Sequence, residues 1–188
     1  MKLAEKYVFN SSTVANIDRD AINQNESGYG FHLMEKAAKF SFQILKNECP
    51  ESISVFCGTG NNAGDGYLLA KYAIESGVNT RVISIESKDK LSGDAKRAMD
   101  EFEQTGGEVE RWSPEIELNS DWIVDAIFGI GLNRKLEMLH QDVIHAINQS
   151  ESKVLSIDIP SGLCGNTGKI FGSAVSADLT TTYVGKKS

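Results

Sequence analysis

Ile53-Ser54-Val55-Phe56-Cys57-Gly58-Thr59-Gly60-Asn61-Asn62-Ala63-Gly64-Asp65-Gly66 decides the fold class. Its first five residues form a short β-rich run that glycine stops. A helical pattern follows over 65–76, with Leu68, Leu69, Tyr72 and Ala73 apolar at helical spacing. Strand, glycine loop and helix make the opening of a βαβ unit. The rest of the chain repeats the alternation. Strands are expected at 80–85, 109–112, 122–128, 153–159 and 179–184, and helices at 92–104 and 138–149. The near-continuous apolar runs 122–128 and 154–159 suit central parallel strands, covered on both faces. Two further helices precede the unit. One spans 12–24, with Val14, Ile17 and Ala21 in line and Ser11 or Ser12 as cap. The other spans 30–47, with Leu33, Met34, Ala37, Ala38 and Leu45 as its buried stripe. The expected architecture is α/β: a Rossmann-like, mostly parallel sheet with helices on both faces and two extra N-terminal helices.

The chain has 188 residues, 40% hydrophobic and 24% charged, which is ordinary for one globular domain. Its net charge of −7 makes it a poor candidate for coating nucleic acid through phosphates. No apolar stretch approaches the roughly 20 residues of a membrane span. The start, Met1-Lys2-Leu3-Ala4-Glu5-Lys6, has no apolar region of a secretory leader. Cys49, Cys57 and Cys164 form no CxxC pair, and a reducing, cytoplasmic setting fits them.

In open parallel sheets ligands bind outside the carboxyl ends of the strands, so the loops after strands matter most. The first is Gly58 to Gly66. Its glycines admit close backbone approach, and the following helix N-terminus favours an anion such as phosphate. It is neither GxGxxG, since the third glycine comes one residue late as Gly64, nor a Walker A loop. The plainer reading is a tight turn with Asp65 as helix cap. The adjacent Asn61 and Asn62 weigh against it. The second loop, Gly129-Ile130-Gly131-Leu132-Asn133-Arg134-Lys135, follows a strand that carries Asp125 among apolar residues. A carboxylate there needs either structural hydrogen bonds or a cation. Arg134 and Lys135 suit a phosphate clamp, or a solvated surface pair. The third loop is Ser156-Ile157-Asp158-Ile159-Pro160-Ser161-Gly162. Asp158 at the rim of the crevice is expected to hold its proton more tightly than usual and to exchange it with a ligand. The alternative is a turn-forming Asp bonded to the Ser161 or Gly162 amide. His32, His140 and His145 show no metal spacing and read as surface or core-edge residues. Cys57 reads as a small buried hydrophobe.

These three loops, in this order, resemble the NAD(P)HX epimerase family, the YjeF N-terminal domain. The resemblance extends to Leu33-Met34-Glu35 and to Ala177-Asp178-Leu179-Thr180, so it spans nearly the whole chain. It implies a Rossmann-like, usually dimeric enzyme that interconverts the two epimers of NADH or NADPH hydrated at ring carbon 6. A fused or separate ADP- or ATP-dependent dehydratase then restores the S form. By position, Asn61, Asn62, Ala63, Gly64 and Asp65 would line the hydrated dinucleotide (NADHX or NADPHX). Gly129, Ile130, Gly131, Leu132, Asn133, Arg134 and Lys135 would hold its phosphates. Asp158 would contact the damaged ring as acid and base. Asn62, Asp125 and Ser161 would hold K+, and their oxygen donors suit a hard cation.

Two departures stand out. Ala63 replaces a frequent glycine, and Ile130 a frequent threonine. Family domains usually continue for another strand-sized segment, so 1–188 reads as one domain, either a fragment or a truncated version. Two rivals remain. One is a non-catalytic binding and dimerisation module, as in the enhancer of mRNA decapping family, against which Asn62, Asp125 and Asp158 argue. The other is an NAD-dependent dehydrogenase with Glu86 reading a ribose, against which the late third glycine argues.

Overall fold

The computed structural model describes residues 28–183, together with Val8–Phe9, Thr13, Asn16, Ile17, Asp20 and Lys186–Lys187. Most of the helix expected over 12–24 lies outside the described residues, although Thr13, Asn16, Ile17 and Asp20 are helical. Val184, at the end of the last expected strand, also lies outside them.

The described elements run β1 (Val8–Phe9), α1 (Tyr29–Asn47), β2 (Ser52–Cys57), α2 (Asn61–Glu75), β3 (Asn79–Ser84), a short 3-10 turn, α3 (Gly93–Gln104), β4 (Val109–Arg111), β5 (Trp122–Ala126), α4 (Met138–Gln149), β6 (Lys153–Ile157), β7 (Leu179–Thr181) and β8 (Lys186–Lys187). Six strands form one sheet in the order β4-β3-β2-β5-β6-β7, and every pairing in it is parallel. β1 and β8 pair separately. Strand order reverses between β2 and β5, which is the switch point where such sheets open a crevice for ligands.

Alternation along the strands sorts side chains onto two faces. Ile53, Val55, Cys57, Val124, Ala126 and Leu155 pack with Met34, Ala38 and Leu45 of α1, Tyr67 and Leu68 of α2, and Ala98, Met99 and Phe102 of α3. Phe56, Ile83, Ile123 and Val154 pack with Val143, Ile144 and Ile147 of α4 on the other face. Glycine makes the first face close. A Cβ on Gly66 would lie 2.5 Å from Ala126 Cβ, and one on Gly64 would lie 2.5 Å from Met34 Sδ. Any side chain at either position would push α2 off the sheet or off α1.

The strand expected over 179–184 stops early, at Thr181, and three other boundaries differ from expectation for a plain physical reason. The helix expected from 65 begins at Asn61, because its glycines serve packing inside the helix instead of a longer loop. The strand expected to reach 128 stops at Ala126. There the Ile127 amide turns back to donate to Asp125 Oδ1 at 3.3 Å. The strand expected to reach 159 stops at Ile157, because Asp158 adopts a left-handed φ of 70° and Ile159 N–H donates to the Ile157 carbonyl at 2.9 Å.

Candidate functional site

At the switch point, the loops after β2, β5 and β6 enclose a cleft of about 770 Å3, large enough for a substantial part of a dinucleotide. Thr59, Gly60, Asn61, Asn62 and Asp65 form one wall. Residues 127–134 form the second, and Asp158 closes the third side. Thr59, Gly60, Ile127 and Phe128 line the cleft in addition to the residues that the resemblance implies. Their adjacency to the glycine loops was the available signal.

Gly129 is the point where the three loops meet. A Cβ there would lie 2.9 Å from Asp158 Oδ2 and 3.6 Å from the Asn62 side chain. The Ile130 amide, next in sequence, donates to Asp158 Oδ2 at 3.0 Å. That bond belongs to the backbone, so isoleucine in place of threonine leaves it intact. Asp158 is one of two described non-glycine residues with positive φ, the other being Cys49. A left-handed aspartate is uncommon and unfavourable on its own. Its amide donates to the Thr181 carbonyl at 2.7 Å, so both backbone and carboxylate are held.

Asn62 sits in the first turn of α2 and is 8% exposed. Neither its Oδ1 nor its Nδ2 has a hydrogen-bond partner. Buried carboxamides are almost always satisfied, so an orphan lining a cleft makes Asn62 a candidate ligand contact.

Asp125 is fully buried on β5. Parallel register sets Ser156 of β6 directly opposite it, and Ser156 Oγ donates to Oδ2 at 2.7 Å. Ser161 contributes twice: its amide donates to Oδ2 at 2.8 Å and its hydroxyl to Oδ1 at 2.5 Å. Burial pushes the Asp125 carboxyl above the usual aspartate range, and the Ser161, Ser156 and Ile127 donors pull the other way. Ser161 Oγ also accepts from the Phe128 amide at 2.9 Å. Asp125 therefore fixes both the second and the third loop, with Ser161 as the link.

Other expected residues fall elsewhere. Ala63 and Gly64 are buried against the core and do not line the cleft. Ala63 is helical with negative φ, and its methyl fills core space. Asp65 is the fifth residue of α2 and not its cap. Gly60 holds the cap position without a side-chain bond. Arg134 lines the cleft and pairs with Glu137 at 3.9 Å, while Lys135 is exposed outside it. His140 is no surface residue. It is 4% exposed, its Nε2 lies 3.2 Å from Glu86 Oε1, and its ring packs on Phe128. Glu86 is occupied by His140 and Lys90 and does not line the cleft, which leaves the dehydrogenase reading without its ribose contact. Among the described residues no cluster of three or more His, Cys, Asp or Glu could hold a metal, so any ion here needs amide, hydroxyl or backbone oxygens as well. No described helix is long and apolar enough to cross a membrane.

Comparison with known proteins shows the family. The family described as "YjeF-related protein N-terminus" matches residues 30–188. Bifunctional NAD(P)H-hydrate repair enzymes are similar in sequence. The one from Thermofilum pendens is 42% identical over 187 residues, covering 92% of this chain and 34% of that protein. The one from Escherichia coli is 34% identical over 160 residues, covering 84% and 31%. The chain thus spans about a third of the length of these curated relatives. The crystal structure of the yeast protein ynu0 superposes with a TM-score of 0.82 at 22% identity. The match covers 96% of this chain and 82% of that one, a likeness of fold.

Proposed function

We propose that this chain, which belongs to the YjeF N-terminal family, interconverts the R and S forms of hydrated NADH and NADPH, the epimerase half of a cofactor repair. The observation that carries this reading is the convergence of Asn62, Gly129–Ile130 and Asp158 on one cleft, braced by Asp125 and Ser161. The relatives' name, NAD(P)H-hydrate repair enzyme, supports the substrate class.

Carbon 6 of the damaged ring bears a hydroxyl and the ring nitrogen, so it is a hemiaminal. Its configuration is lost when the hydroxyl is protonated and expelled, the nitrogen lone pair forming an iminium, and water re-adds on the other face. Ring opening and reclosure also lose it. Both routes need a proton given and taken at one oxygen, the role proposed for Asp158. Such general acid–base help is worth about 10²–10⁴ in rate. Asn61, Asn62, Asp65 and residues 129–134 would bind the dinucleotide, with backbone amides of the β5 loop and Arg134 serving its phosphates.

The family resemblance implies K+ at Asn62, Asp125 and Ser161. The orphan carboxamide of Asn62 fits that role. Asp125 is more constrained, because its four acceptor positions are all taken. The Ser161 hydroxyl, however, lies 3.2 Å from the Phe128 carbonyl. Turning its proton to that carbonyl frees one Asp125 lone pair. With that rotation the three residues fit a hard, oxygen-ligated cation, which would supply positive charge beside the anionic ligand. A homodimer, a cytoplasmic setting and a fused or separate ADP- or ATP-dependent dehydratase complete the proposal. The relatives' name, bifunctional NAD(P)H-hydrate repair enzyme, supports the last of these.

The direct test supplies one pure NADHX epimer and follows the epimer ratio with time. Approach to the equilibrium ratio well above the spontaneous rate is expected. A rate equal to that of buffer alone refutes the proposal.

A further inference from the structure

We infer that a buried cluster of three hydroxyls, Ser41, Thr181 and Tyr183, is a positioning device for Asp158. None of these residues touches the cleft, and the family resemblance gives none of them a role. Ser41 Oγ on α1 lies 2.6 Å from Thr181 Oγ1 and 2.5 Å from Tyr183 OH, and the last two are 3.4 Å apart. Ser41 and Thr181 are buried. Each hydroxyl can donate once and accept once, so the three can satisfy one another in a closed ring.

The position of the ring gives it its purpose. β7 is an edge strand of three residues, reached from β6 through residues 158–178 without a helix. Its ladder with β6 has three register pairs, ending at Ile157↔Thr181. The Thr181 carbonyl then accepts the Asp158 amide at 2.7 Å, where the chain enters its left-handed turn. So short a ladder, on an edge, is a weak support for an unfavourable backbone conformation. The hydroxyl ring adds directional bonds that tie Thr181 to α1. A purely apolar contact would fill the same space without fixing the strand's position along its axis. Tyr183 also stacks edge-on with Phe40, and burial and then the charge of Asp65 push its phenol pKa upward. The ring thus lies within electrostatic reach of a second cleft carboxylate.

The catalytic half of this inference rests on the proposed epimerase activity, and the structural half does not. The test therefore has two arms on the full chain. Amide exchange at Asp158 is measured by NMR in wild type, Thr181→Val, Thr181→Ser and Tyr183→Phe, and kcat and KM are measured on a single NADHX epimer. Thr181→Val and Tyr183→Phe are expected to speed Asp158 exchange about tenfold. They should lower kcat about tenfold with KM within about twofold, as a displaced catalytic group would. Thr181→Ser is expected to restore both. Exchange at the wild-type rate in Tyr183→Phe overturns the inference, as does faster exchange with kcat unchanged. A Thr181→Val chain that does not fold leaves the decision to Tyr183→Phe. A wild-type chain without epimerase activity refutes the functional proposal alone, and the exchange arm then judges the positioning.

Discussion

Two clefts of nearly equal size open at opposite ends of the same sheet, about 770 Å3 at the carboxyl ends and about 800 Å3 at the amino ends. Volume does not separate them, but polar satisfaction does. At the amino end, Asp121 accepts the Glu51 and Ser52 amides, and its own amide donates to Ser52 Oγ. Ser152 donates to the Ser120 carbonyl, and Ser120 Oγ lies 3.0 Å from both Ser54 Oγ and the Trp122 carbonyl, which only accepts. None of that cleft's lining residues carries a buried side-chain nitrogen or oxygen without a partner. At the carboxyl end, Asn62 is left with both polar atoms unpaired and Asp158 is held left-handed. Polar groups that close on one another stabilise a fold. Polar groups held open, at a cost to the fold, await a ligand.

The largest expected effect is at Asp158. Asp158→Asn should reduce epimerisation by about 10²–10⁴ while dinucleotide binding, followed by titration calorimetry, persists. Full activity in that variant would erase the functional contrast between the two ends. Next comes Asp125→Asn, which sets an amide NH2 against groups that now donate to a carboxylate. It should cost about 1–3 kcal/mol in urea denaturation. A neutral result would show that Asp125 is not the brace of the cleft. Asn62→Ala follows. Wild type should gain a few degrees of Tm in K+ relative to a bulky organic cation, through a stabilisation of roughly RT ln(1 + [K+]/Kd), and the variant should gain none. An equal gain in both would move the ion elsewhere.

The smallest effect belongs to the amino end. The backbone amides of Ser52 and Glu51 hold the Asp121 carboxyl below the usual aspartate range. A lowered pKa means that its contribution is complete above the ordinary aspartate value and disappears as pH falls through the lowered one. The stability difference between wild type and Asp121→Ala should therefore be constant above pH about 5 and shrink in more acid solution. Epimerisation should be unchanged at neutral pH. A difference that grows with acid would reverse the assignment.

Much of this was legible in the chain, because its signals are local. Alternating apolar runs and glycine stops gave the α/β class and the order of strands and helices. An aspartate inside each of two apolar runs gave Asp125 and Asp158. What could not be read depends on long-range pairing. The helix start at Asn61 turns Ala63 and Gly64 into core residues, and only the packing of the helix, with Gly64 against Met34 and Gly66 against Ala126, reveals that. Surface and core-edge were both open for His140, and only the fold brings its ring to Glu86, fifty-four residues away in the chain.

The sequence by itself determined which chemical groups are present and that they fall after successive parallel strands, since period and punctuation are properties of neighbours along the chain. Only the tertiary structure decided which of those groups are spent inside the protein and which are left facing the cleft. Parallel register set Ser156 against Asp125, and Thr181 and Ile130 fixed Asp158 in a left-handed turn. Hydrogen-bond satisfaction is a sum over partners that meet only when the sheet has formed, so no local pattern encodes it.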